Sequence, residues 1–252
     1  MHKIEMHEMS PDFFRCWQAA GQHLSRQVDG GIQAWLRAHP YPPFLEHLSF
    51  RLGNQLFFIR VEDVDRKVKG PGNPSGVVTA ARLANAYACA LPMRKKFFGD
   101  AWEAVESGWG LLDAATRKPI DPFSLVTEER IEMTSWEVHD MAVQVVRDYL
   151  KRDGFELMSW QGNPDVDPAI WFIGQSKRPE WVVVRSTTFP ESRADRPSNW
   201  SAIAAGCARM SDVGHFASVA VVSADQLFGS MSEAPVPLWR GYGMHIRFEG
   251  LE

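Results

Sequence analysis

The chain has 252 residues, 45% of them hydrophobic and 23% charged, with a formal net charge of -4 and a pI near 6.1. That composition excludes a disordered chain, and the absence of a net basic balance disfavours a sequence-independent grip on duplex nucleic acid. Three cysteines, Cys16, Cys89 and Cys207, stand far apart without a CxxC or Cys/His spacing, so neither a structural zinc site nor a disulfide framework is expected.

No apolar h-region follows Met1-His2-Lys3, and apolar runs are only four to seven residues long; a cytoplasmic chain without a membrane span is the expectation. Ten Trp and fifteen Phe supply large side chains for a core or an interface.

Ser10-Pro11 is a helix start, with Ser at the cap and Pro at the first helical position. Phe13, Phe14, Trp17, Leu24, Val28, Ile32, Trp35 and Leu36 recur near helical spacing, so a helix is expected to about His39, with Gly30-Gly31 as a break. His47 to Glu62 reads as a hairpin around the Gly53-Asn54 turn. A loop is expected over Asp63 to Gly76, and an Ala-rich helix over Val77 to Leu91, closed by Pro92. Phe97 to Val126, rich in Trp and Pro, reads as irregular structure with one or two short strands that connects the two halves. The division expected is an N-terminal α/β region over 1–126 and a second region over 127–252, or one continuous domain.

In the second region, Thr134-Ser-Trp-Glu137 matches a capping box. The stripe Trp136, Met141, Ala142, Val145, Val146, Tyr149, Leu150 predicts a helix to about Arg152. Strands are expected at Phe155–Trp160, Ala169–Ile173, Trp181–Phe189, His215–Ser223 and Tyr242–Phe248, with a helix at Trp200–Met210. The fold class this gives is α+β, with one mixed central sheet flanked by helices, built mostly from the second half, and the N-terminal helix and hairpin packed on it or extending it.

The order helix, strand, strand, strand, helix, strand from Ser135 to Ser223 resembles the core of the PD-(D/E)XK (restriction-endonuclease-like) nuclease superfamily, over roughly the last 120 residues. That family carries an Asp at the start of its second strand, often after Pro; here Pro164-Asp165 and Asp167-Pro168 precede Ile170-Trp171-Phe172-Ile173. It carries acid-X-Lys on the third strand; here the triplet is Val183-Val184-Arg185, at the usual spacing from Asp165. The resemblance therefore implies Asp165 and Asp167 as metal and catalytic carboxylates and Arg185 at the lysine position. Val183 stands where a second carboxylate belongs, and arginine stays protonated and cannot deprotonate water. Glu180, at the mouth of the third strand, and Glu137 or Asp140, on the preceding helix, are the acids that could compensate. Bland readings compete: Glu137 is a capping-box residue, Glu180 a solvated turn residue, and Asp165 and Asp167 turn formers.

Elsewhere, Glu62, Asp63 and Asp65 form an acidic cluster, and Gly70 to Gly76 superficially suggests a phosphate cradle without a matching motif. Arg66-Lys67-Val68-Lys69 and Arg94-Lys95-Lys96 are short basic stretches that read as solvated surface.

The resulting expectation is a non-catalytic, macromolecule-binding protein on a degenerate nuclease-like core, with no cofactor. Its acidic balance favours a protein partner over nucleic acid, and a bacterial toxin-immunity protein is one specific form. The alternatives are a Mg²⁺- or Mn²⁺-dependent nuclease with a migrated carboxylate, and a structural subunit, homo-oligomeric or otherwise, that uses the Trp102 to Phe123 segment as a contact surface.

Overall fold

A computed structural model describes residues 10–37, 48–70, 74–97, 99–228 and 234–252. The chain divides into two compact units, Met1–Glu129 and Arg130–Glu252, and the architecture is mixed α+β; in place of one central sheet extended by the N-terminal hairpin, each unit has its own mixed sheet, because the hairpin strands pair with strands of their own unit. No helix among the described residues is long and apolar enough to cross a membrane.

In chain order the first unit contains α1 (Pro11–Ser25), β1 (Trp35–Arg37), β2 (Leu48–Leu52), β3 (Gln55–Asp63), α2 (Pro74–Leu83), β4 (Tyr87–Lys95), β5 (Trp102–Ala104), β6 (Leu111–Asp113), β7 (Pro119–Ile120) and α3 (Pro122–Leu125). Ser10 caps α1, its hydroxyl accepting from the Phe13 N–H at 3.2 Å. The helix is shorter than its periodicity suggests. Gly30 and Gly31 sit at φ +75° and +81°, a left-handed backbone incompatible with continuing the helix, and Trp35–Arg37 then pairs with β2 as a strand. The hairpin β2–β3 forms around Gly53-Asn54 as expected; His47 lies outside the described residues.

The Ala-rich segment corrects a second expectation. The helix stops at Leu83, and Tyr87–Lys95 is a central strand, parallel to β3 through the α2 crossover. Small residues, Ala88, Cys89 and Ala90, fit a strand covered on both sides as readily as a helix. Pro92 is tolerated mid-strand because β4 changes partner there: Cys89 and Ala90 pair with β6, and Met93 to Lys95 pair with β5.

The second unit contains α4 (Ser135–Arg152), β8 (Glu156–Trp160), β9 (Ile170–Ile173), β10 (Pro179–Thr188), α5 (Trp200–Cys207), β11 (Gly214–Ser223) and β12 (Met244–Phe248). Its sheet runs β12-β11-β10-β9-β8. β8, β9 and β10 form an antiparallel meander, β10 and β11 are parallel, and β12 returns antiparallel. A parallel neighbour needs a crossover, and the segment containing α5 supplies it. The apolar stripe of α4 (Val138, Ala142, Val143, Val146, Leu150) packs with Val182, Val184, Ala217, Val219 and Val221. Alternation along the strands sends Trp181, Val183 and Phe216 to the opposite face, where Cys207 of α5 joins them. Each buried Val contributes on the order of 1.5–3 kcal/mol by leaving water. The three cysteines are free and buried, and burial pushes the thiols of Cys16 and Cys89 up to about 12.

Gly214 opens β11 under the indole of Trp181: a Cβ there would stand 2.1 Å from Cζ2 of that ring. Gly21, inside α1, has nothing within 4 Å of its would-be Cβ. Gly214→Ala is therefore expected to destabilise by about 1–3 kcal/mol through overpacking, whereas Gly21→Ala stabilises by about 0.5–1 kcal/mol through helix propensity. Urea unfolding of the two variants beside the parent checks both signs.

Candidate functional site

The turn that enters β9 is built by Asn163, whose side chain accepts from the Asp165 N–H at 3.0 Å, and by Gln161, which is buried and donates to the Val166 carbonyl at 2.8 Å. This leaves Asp165 exposed in the turn and brings Asp167 back over the sheet. The Asp167 carboxylate takes two hydrogen bonds from the guanidinium of Arg185, one of them at 2.9 Å. Arg185 also donates to the Val184 carbonyl at 2.8 Å. The two side chains retain only 14% and 25% of their exposure, so this bidentate pair is little screened by solvent. Asp167 also helps raise the Cys207 thiol to about 11, although burial is the larger cause. The pair therefore acts on the α5 side of the sheet.

Trp181, Val183 and Arg185 share that face, and Val183 is fully buried. The position from which the family's second acid would project is thus packed with hydrocarbon. Glu180, in β10, turns to the other face. It corrects the expectation of a solvated turn residue: its side chain is 14% exposed and meets His215 Nε2 at 2.7 Å. Val182, the register partner of His215, belongs to the α4-side core, which identifies the face.

Glu137 completes the expected capping box, accepting from the Thr134 N–H at 2.9 Å while the Glu137 N–H donates to Thr134 Oγ1 at 3.3 Å. It has a second partner that the sequence did not reveal. Arg240 donates through Nε at 2.9 Å and Nη2 at 2.8 Å, and the side chains are 0% and 5% exposed. These residues are 103 positions apart, and Trp239-Arg240-Gly241 carries no local pattern that would announce the contact. Asp140, also buried, accepts from Gln144 at 2.7 Å.

The acids singled out from the sequence thus do not converge. Asp167, Glu180 and Glu137 are held by Arg185, His215 and Arg240 respectively. Among the described residues no group of three or more His, Cys, Asp or Glu is placed to hold a metal ion. A divalent cation that activates water needs several carboxylate oxygens in one shell. One carboxylate already neutralised by a guanidinium, beside a buried valine, does not fit that requirement.

In the first unit, Asp63 organises its own loop, accepting from the N–H groups of Asp65, Lys67 and Val68 at 3.0, 2.9 and 2.9 Å, and Glu62 pairs with Arg117 at 2.9 Å. The Gly70 to Gly76 segment lies partly outside the described residues.

Residues 136–252 match the family model described as a domain of unknown function, DUF8840. No curated protein and no solved structure matches the chain.

Glu137→Gln and Arg240→Met are each expected to cost about 3–5 kcal/mol, because each strands the partner's buried charge. The double variant is expected to lose far less than the two singles combined. A double-mutant cycle in urea measures the coupling.

Proposed function

We propose that Arg130–Glu252 is a degenerate nuclease-like core that binds another macromolecule without cleaving it. The observation that carries this reading is the Asp167–Arg185 ion pair. The resemblance assigns those two positions to metal binding and proton transfer, and here they neutralise each other. The element order α4-β8-β9-β10-α5-β11 supports the resemblance, as does the position of Asp167 at the entry to β9 with Arg185 on β10. Val183, buried in the α5-side core, supports the loss of hydrolytic chemistry.

The charge distribution supports a protein partner. Of the 27 basic and 31 acidic residues, Arg130–Glu252 holds 12 and 16, so the whole excess of -4 belongs to this unit. A polyanionic duplex is repelled by such a balance. A toxin-neutralising protein directed at a basic partner is one specific form of this reading.

The test is incubation with plasmid and single-stranded DNA in Mg²⁺ or Mn²⁺, beside Asp167→Ala. Neither protein is expected to cleave, and neither cation is expected to raise the parent's melting temperature. Asp167→Ala is expected to lower stability by about 1–3 kcal/mol, since it leaves the half-buried Arg185 without its carboxylate partner. Cleavage by the parent that disappears in Asp167→Ala would instead establish the metal-dependent nuclease.

A further inference from the structure

The second unit holds a cleft of about 470 Å³ that lies apart from the Asp167–Arg185 pair. It opens at the carboxyl ends of β10 and β11, between the first turn of α4 and a strap formed by residues 235–238. Two parallel strands bring their carboxyl ends to the same side, the general location of ligand crevices in sheets of this kind. By alternation Ser186 faces the side opposite Arg185, so the cleft and the ion pair use different faces of β10.

The cleft wall is preformed. Gln226, 1% exposed, donates to the Ala234 carbonyl at 3.1 Å and accepts from the Val236 N–H at 3.2 Å. The Met133 N–H donates to the Leu238 carbonyl at 2.7 Å, and the Arg240 N–H to that of Ile131 at 2.9 Å. The buried Glu137–Arg240 pair then ties the end of the strap to the cap of α4. Ordering a proline-bearing strap by buried polar anchors on both sides of an open space gives a wall that needs no reorganisation when something binds.

The lining defines the chemistry. Val138, Val221 and Leu238 offer apolar surface, and Ser135, Ser186 and Thr188 offer hydroxyls. No hydrogen bond joins those three hydroxyls to another described residue, which leaves them available to a guest. Among the described residues, Glu132 is the one charged residue lining the cleft. Among the described residues no Lys, Arg or His lines the cleft to pair with a phosphate or carboxylate, and the Glu132 carboxylate opposes one. The volume lies within the range of small-molecule sites.

We infer that this cleft binds an uncharged ring compound carrying hydroxyl or amide groups, the chemistry shared by nucleosides and neutral sugars. The inference does not depend on the nuclease-like reading, because Asp165, Asp167, Glu180 and Arg185 do not line the cleft.

Titrations of the full chain with adenosine, uridine and N-acetylglucosamine, read by saturation-transfer NMR and thermal shift, distinguish the two sources. At least one is expected to bind at millimolar concentration or below, with adenosine monophosphate binding more weakly than adenosine in the nucleoside case. Thr188→Trp, at an exposed position on the cleft, is expected to weaken binding by about tenfold or more through occlusion. Ser186→Ala, which removes one hydroxyl, should weaken it by about threefold to tenfold. Absence of binding by all three compounds, affinity unaltered in both variants, or a monophosphate bound as tightly as its nucleoside would overturn the assignment.

Discussion

The parallel pairing of β10 with β11 is the constraint on which the second unit depends. It runs from Trp181 against Gly214 to Thr188 against Val221, and its first half is covered on both faces, by α4 and by α5. The stretch of β10 that is buried on both faces must be apolar, which is why Val182, Val183 and Val184 follow one another without alternation. The same requirement removes an ionisable side chain from position 183. Val183 completes the α5-side core with Trp181, Phe216 and Cys207.

Charge is handled consistently around that sheet. Asp167, Glu180 and Glu137 each have a basic side chain as partner, while the buried Asp140 accepts from Gln144. Asp167 with Arg185 sits on one face, Glu180 with His215 on the other, and Glu137 with Arg240 at the start of α4. Isolated pairs of this kind satisfy the desolvation cost of each charge locally. They leave no concentrated negative potential to draw in a cation.

The Glu137–Arg240 pair joins local and long-range order. Glu137 would cap α4 without Arg240, since its bonds to Thr134 are formed within a single turn. Arg240 converts that local cap into an anchor for the strap beside the cleft. Removing either charge therefore acts on a helix end and a cavity wall together.

What the sequence determined by itself was the set of elements with strong local signals. The Ser10 and Thr134 caps, the Gly53-Asn54 turn and the α4 stripe depend only on neighbours within a few residues, and the second-unit strands are short apolar runs bounded by turn residues. Where tertiary contacts compete with local preference the reading failed: the Ala-rich Tyr87–Lys95 became a strand because β3, β5 and β6 supply its hydrogen bonds, and Trp35–Arg37 left its helix to pair with β2. Asp167 and Arg185 could be singled out by spacing, yet that they neutralise one another, that Glu180 meets His215, and that Glu137 holds Arg240 were decided only by the fold. Ion pairs join residues through space, and nothing in the local pattern of either partner records the other.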